Sequence, residues 1–410
     1  MAATTVNRRR LTYILYAVSF LDLLGVAMIV PLIPRHIKQF GASPTVIGLV
    51  GSLYGGIQLF SSPIVGKWSD VVGRRWSTLW CFFLSAVGYA VLGFSETLFI
   101  LIVSRILSGL FKHTMSLSKA YVTDITPKEE RPSIYGRLNA ISGIGFIIGP
   151  MLGGHIAETE NGFMRVCICT ASALFLSWVI MWYFIKPVQS DEIKRTESER
   201  RFALEDLNLN PLTFFRTFKH ILVGQLDLFT IRFLLGFASL IYRSNFTLML
   251  ENEYGTGPKM NGYIISFGST AGVICGLFTG RVVQYYQSEA KLLLHSTILQ
   301  LLTILALAFA PSVWVIMVLQ APLSFANSLT RVCCTDLCVK RSRPTEVGAA
   351  LGLSQSVMSI ARMLTPAIGG VLQEFSYHAP CIVAANFALA AVVTMVIFPQ
   401  DTVPTKKKEQ

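Results

Sequence analysis

Apolar runs of about twenty residues alternate with short polar gaps along almost the whole chain. A helix needs about 20 apolar residues to cross a hydrocarbon layer ~30 Å thick. That ruler predicts spans at 11–33, 46–66, 76–94, 98–119, 135–157 and 164–185, then at 221–250, 261–281, 291–310, 313–335, 346–371 and 379–399. The runs are too long for barrel strands, and only helices or closed barrels satisfy their backbone hydrogen bonds in lipid. The pattern predicts an all-α polytopic membrane protein with twelve transmembrane helices. Residues 1–185 form one six-helix bundle, 186–220 a linker, 221–400 a second six-helix bundle and 401–410 a tail.

Charge placement supports the even count. One side receives Arg8–Arg10, Lys67, Arg74, Arg75, Lys128, Arg131, Arg137, the 186–220 loop, Arg281, Lys291, Lys340, Arg341, Arg343 and Lys406–Lys408. The other receives mainly Arg35, Lys38, Arg165 and Lys259. The positive-inside rule then puts both termini in the cytosol. Hydrophobic residues are 52% and charged ones 14%, with mean hydropathy +0.55, which is short of charge for a soluble chain. The net charge of +12 sits in gaps between spans, so the expected partner is the lipid bilayer and not nucleic acid. The eight cysteines lie in or beside apolar runs without zinc-type spacing. No metal, cofactor or enzymatic activity is expected. Plasma and endolysosomal membranes fit equally well.

The two halves share a repeat. Pro150, Gly153 and Gly154 align with Pro366, Gly369 and Gly370 at one offset (366 − 150 = 216), and Gly136 aligns with Gly352. Repeated halves are a transporter signature, with substrate sites near the midplane between them. Gly145, Gly149 and Gly153 recur every four residues, as do Gly268, Gly272, Gly276 and Gly280. Each set is predicted to let another helix backbone approach closely.

Gly66-Lys67-Trp68-Ser69-Asp70-Val71-Val72-Gly73-Arg74-Arg75 resembles the signature between the second and third spans of the major facilitator superfamily. Arg105 and Gly109 resemble that family's Arg-x-x-x-Gly element in the fourth span. Gly145 to Gly154, including Gly149, Pro150 and Gly153, resembles the glycine–proline motif of its antiporter branch. Leu21-Asp22-Leu23-Leu24-Gly25, followed by Pro31 and Pro34, resembles an element of twelve-span drug:proton antiporters, the tetracycline exporters among them. The resemblance implies a major facilitator fold, two bundles around a central cavity, working as a monomer. It implies that Gly66, Asp70, Gly73, Arg74 and Arg75 form a latch favouring the outward-facing state. Gln284 stands where a second copy of Asp70 would align, so the second latch is degenerate.

Charges inside spans are costly and mark function. Asp22 is the sole mid-span carboxylate of the first half. It reads as a proton-coupling site or as a structural ion pair with Arg105. Arg105, Lys112 and Lys119 are spaced seven apart, which predicts a cationic stripe on one helix face. His113 adjoins it, either as a titrating group or as a neutral packed histidine. Arg243 and Arg362 add cations in the second half, and Arg232 and Arg331 lie nearer the cytosolic ends. Cations outnumber carboxylates at depth, which favours an organic anion as substrate. The expected function is secondary transport of a small organic solute by alternating access with proton coupling. An uncoupled facilitator and a non-transporting receptor or scaffold are the alternatives.

Overall fold

The computed structural model describes residues 2–127, 130–185, 220–244, 246–286, 288–343 and 346–400. Most of the expected linker and all of the tail lie outside the described residues.

Among the described residues, eleven helices are long and apolar enough to cross a membrane, and a bent pair taken as one span brings the number to twelve. The first span is α1 (Ala2–Ile29), a 3-10 turn over Val30–Leu32 and α2 (Ile33–Gln39). Pro31 sits in that turn and Pro34 in the first turn of α2, where their missing N–H groups do least harm. The second and third spans are α3 (Pro44–Val72) and α4 (Arg74–Gly93); the fourth comprises α5 (Leu98–Phe111) and α6 (Thr114–Ile125). The fifth and sixth are α7 (Arg131–Ala157) and α8 (Gly162–Phe184). The seventh is the bent pair α9 (Leu226–Ser244) and α10 (Phe246–Tyr254), turned through 46°. The remaining five are α11 (Pro258–Tyr286), α12 (Glu289–Ala308), α13 (Val313–Arg341), α14 (Val347–Phe375) and α15 (Ala379–Ile397).

Several helices outrun the apolar windows. α3 continues six residues past the expected end at 66, because a helix keeps its own hydrogen bonds after it leaves the apolar layer. The first half packs around Leu15, Phe82, Tyr89, Leu101 and Leu174. The second packs around two clusters, one near Ile241 and Ala384 and one near Ile231 and Cys333.

The halves meet at the end of the bundle away from the termini, here called the far end. Four helices make the seam: α3 against α14, and α7 against α11. A Cβ on Gly48 would collide with the carbonyl oxygen of Pro366, and one on Gly370 with that of Pro44. The other seam repeats this arrangement. A Cβ on Gly262 would collide with the Pro150 carbonyl, and one on Gly154 with the Pro258 carbonyl at 2.5 Å. The repeat is therefore a structural pseudo-two-fold, and of its matched glycines Gly154 and Gly370 are where the backbones of the two halves touch. At the terminal end the same four helices stand apart. A Cβ on Gly66, Gly136, Gly276, Gly280, Gly348 or Gly352 would meet nothing within 4 Å. The glycine file on α11 is thus only half used: Gly268 and Gly272 face Gln320 and Ser324 of α13, while Gly276 and Gly280 face open space.

Candidate functional site

Asp22 sits on α1 and is almost fully buried. Its Oδ1 accepts a hydrogen bond from Lys112 Nζ in an ion pair. Its Oδ2 accepts from the Thr114 hydroxyl at 2.6 Å, and Lys112 Nζ also donates to Thr114 Oγ1 at 2.8 Å. The three groups close a triangle that satisfies both carboxylate oxygens, which a buried charge requires.

The structure corrects the expected pairing of Asp22 with Arg105. It also corrects the continuous stripe of Arg105, Lys112 and Lys119. The fourth span is interrupted at Lys112 and His113, with Lys112 at φ −77°, ψ 58°. No proline causes this break; α3 holds it open. Gln58 Nε2 donates to the Lys112 carbonyl at 3.0 Å and the Ser61 hydroxyl to the Gly109 carbonyl at 3.2 Å. Two carbonyls released from the helical ladder thus find partners on a neighbouring helix. The break lets Lys112 turn to Asp22, while His113 Nε2 lies 2.8 Å from Ser61 Oγ.

Arg105 lies instead between two tyrosine rings. Its guanidinium carbon is 5.7 Å from the Tyr54 centroid and 5.3 Å from that of Tyr89. Its Nε and Nη2 are buried without hydrogen-bond partners, so the aromatic faces are its main compensation. Sequence reasoning missed Tyr54, Gln58 and Ser61. Their spacing on one face of an apolar span was the available signal.

Arg243 and Arg362 are not brought to Asp22. Arg243 on α9 lies within Coulombic reach of Arg331 on α13, and Arg362 on α14 within reach of Arg232 on α9. Among the described residues none of the four has a carboxylate partner. Two recesses of about 500 Å³ and 400 Å³ lie elsewhere, between α1 and α7 and among α7, α11 and α13. None of these four arginines lines either recess, nor does Asp22.

The segment from Gly66 to Arg75 is a hinge of its own half. Gly73 joins α3 to α4 at φ +100°, ψ 144°, a conformation that suits glycine. Arg74 pairs with Asp70 and with Asp124, its Nε donating to Asp124 at 3.0 Å. Arg75 donates to the carbonyls of Ile185 and Trp182 at the end of α8. Gly145, Gly149 and Gly153 bring α7 onto the α1 backbone at Leu24, Ala27 and Met28. Gly154 and the Pro150 carbonyl face α11.

Residues 15–296 and 228–410 match the profile of the Major Facilitator Superfamily. The chain belongs to this superfamily.

Relatives in the superfamily match it end to end. Solute carrier family 22 member 18 of Mus musculus is 27% identical over 95% of this chain and 94% of its own length. Quinolone resistance protein NorA of Staphylococcus aureus is 23% identical, covering 97% of this chain and 98% of its own. Among solved structures, the human organic anion transporter MFSD10 (TETRAN) superposes with a TM-score of 0.66 at 19% identity, covering 95% of this chain and 99% of that one. That last likeness is one of fold. It agrees with the all-α major facilitator architecture described above.

Proposed function

We propose that this protein is a secondary transporter that moves a small organic solute, an organic anion by preference, by alternating access coupled to protons. One observation carries the transport reading. The same four helices hold glycines in carbonyl contact at the far end and in open space at the terminal end. That is one of the two states an alternating-access machine visits, closed on one side and open on the other. With both termini in the cytosol, as the basic residues suggest, this state faces inward. Among the described residues, the ion pairs and hydrogen bonds of the segment from Gly66 to Arg75 lie within its own half, as those of a disengaged outward-favouring latch would.

Asp22 is the proposed coupling site, and the relative NorA is by its name a quinolone resistance protein, which accords with an organic solute as cargo. MFSD10, a structural neighbour, is an organic anion transporter, which accords with an anionic substrate here. Arg105, Lys112, His113, Arg243 and Arg362 are proposed to border the cavity. The working unit is a monomer in a plasma or endolysosomal membrane.

A second reading, an uncoupled facilitator, is favoured by the closed Asp22–Lys112–Thr114 triangle, which neutralises the carboxylate without a proton. Uptake of labelled organic anions and cations into proteoliposomes, with and without an imposed pH gradient, separates the readings. Anion uptake driven by the gradient supports coupling. Uptake indifferent to it leaves a facilitator. No uptake of any solute favours the receptor or scaffold alternative.

A further inference from the structure

We propose that the cleft between α1 and α7 at the terminal end binds one anionic phospholipid of that leaflet, its phosphate on Arg137 and one acyl chain in the cleft. The site goes beyond the transport reading and is tested by binding alone. The sequence explains why a cleft is there. Gly145, Gly149 and Gly153 let α7 touch the α1 backbone at Leu24, Ala27 and Met28. Continuing that file toward the terminal end by the same four-residue step gives Ile141 and then Arg137. Their side chains hold the two backbones apart, and a recess of about 500 Å³ opens between the helices. Tyr13, Tyr16, Ala17 and Phe20 form its other wall.

The recess faces the bilayer. α7 turns its other faces to protein. Tyr135 reaches Thr123 and the Lys119 carbonyl on α6, and Gly143 faces Val273 of α11. At about 100° per residue, Arg137 stands roughly 160° around the helix from Tyr135 and roughly 120° from Gly143. It therefore points away from both the fourth span and the second half, past the edge of α1. Arg137 is exposed, just inside the apolar run that begins at 135. A guanidinium there, beside lipid, is within reach of the phosphate level.

Charge selects the occupant. No carboxylate lines the recess. Glu130 stands seven residues before Arg137, about 10 Å along the axis, and Asp22 is held by Lys112 and Thr114. Among the described residues Arg137 has no ion pair, and the Tyr16 hydroxyl has no hydrogen-bond partner although Tyr16 is only 6% exposed. Arg9, one turn nearer the terminal end than Tyr13 on the same face of α1, is a second exposed cation. A phosphate oxygen supplies the missing anion and matches the guanidinium fork. Beneath it the walls at Ala17, Phe20, Ala140 and Ile141 are apolar and suit a chain better than a free ion. Head and chain together specify a phospholipid, and the unbalanced positive charge specifies an anionic one. Phe20 lies two residues from Asp22, so an occupied cleft braces α1 beside that carboxylate.

The test is thermal stabilisation of the purified full-length protein in detergent by phosphatidylserine, phosphatidylglycerol and phosphatidylcholine of matched chains, and by glycerol phosphate. Both anionic lipids should half-saturate at a concentration about ten-fold or more below phosphatidylcholine, as one further charged hydrogen bond implies. Glycerol phosphate, which lacks chains, should not stabilise. Arg137→Gln should erase the preference. Arg137→Lys should keep most of it, and this controls for misfolding. Arg281→Gln removes an exposed cation outside the recess and should leave the preference intact. Ala140→Phe, which fills the cleft, should weaken stabilisation by all three lipids. Equal response to anionic and zwitterionic lipids, or a preference surviving Arg137→Gln, overturns the site. Loss in Arg281→Gln as complete as in Arg137→Gln would mean diffuse surface charge. Stabilisation by glycerol phosphate would mean a free-anion site, and no effect of Ala140→Phe would take the chain out of the cleft. Each of these three overturns the proposal as well. None of them bears on uptake into proteoliposomes, so the transport reading stands or falls separately.

Discussion

Arg35 on α2 and Glu251 on α10 pair with each other across the far end at 3.6 Å, joining the two halves. The opposite charges make this meeting of the two halves attractive. Lys38 adds a hydrogen bond to Asn252 beside it. Glu374 caps the Thr45 N–H at 3.3 Å on the α3–α14 seam.

Breaking that pair should loosen far-end closure. The Arg35 side chain is 41% exposed and that of Glu251 12%, so the interaction is worth about 0.5–1 kcal/mol. Arg35→Glu should raise labelling of a far-end cysteine by about two- to five-fold. Arg35→Glu with Glu251→Arg should bring labelling back toward that of the parent protein. Equal labelling in all three would mean the pair does not bias the equilibrium.

The glycine seams give a stronger perturbation. Gly48→Leu or Gly154→Leu places a side chain where the Pro366 or Pro258 carbonyl now sits. Each should block far-end closure, abolish transport and increase far-end cysteine labelling. Gly276→Leu, which meets open space in this state, should leave closure intact. Normal closure in Gly48→Leu would show that the seam adapts.

Asp22→Asn removes one partner of a buried ion pair, which typically costs about 3–5 kcal/mol. The variant should melt lower, lose gradient-driven accumulation and retain exchange. Asp22→Asn with Lys112→Met should recover much of the stability, because no orphan charge remains, but not accumulation. Recovery of both would reduce Asp22 to a structural role.

Arg105→Lys tests the tyrosine cage. An ammonium lacks the planar face that stacks between Tyr54 and Tyr89, and the loss should be about 1–2 kcal/mol in thermal or denaturant stability. A change within error would show that any cation suffices there.

Asp70→Asn separates a latch from a scaffold. Asp70 is 54% exposed in this state and pairs with Arg74, which keeps Asp124. Stability should change by less than about 0.5 kcal/mol. Uptake rate should fall if Asp70 holds the opposite state. Unchanged rate and unchanged stability together would remove the latch role.

Much of this protein was legible in the order of its residues. The number of spans follows from the thickness of hydrocarbon a helix must cross, which sets the length of an apolar run wherever it occurs. The repeat was legible because close backbone contact demands small residues at matched places, as Gly154 and Gly370 show. That Asp22 was the carboxylate to watch followed from the cost of charge at depth.

What the sequence could not decide was which groups meet. Seven-residue spacing put Arg105 and Lys112 on one face, but that inference assumes an unbroken helix. The break at Lys112 and His113 is held by Gln58 and Ser61 of another helix, so no local signal announced it. Only the packing of α3 on the fourth span turned Lys112 toward Asp22 and left Arg105 to the tyrosines. Likewise, spacing marked Gly268 to Gly280 as one packing file, but the tertiary structure closes half of it and opens the rest. Length and polarity are properties of a segment and can be read along the chain. Pairing and gating depend on distances between segments, and those exist only once the two halves have packed.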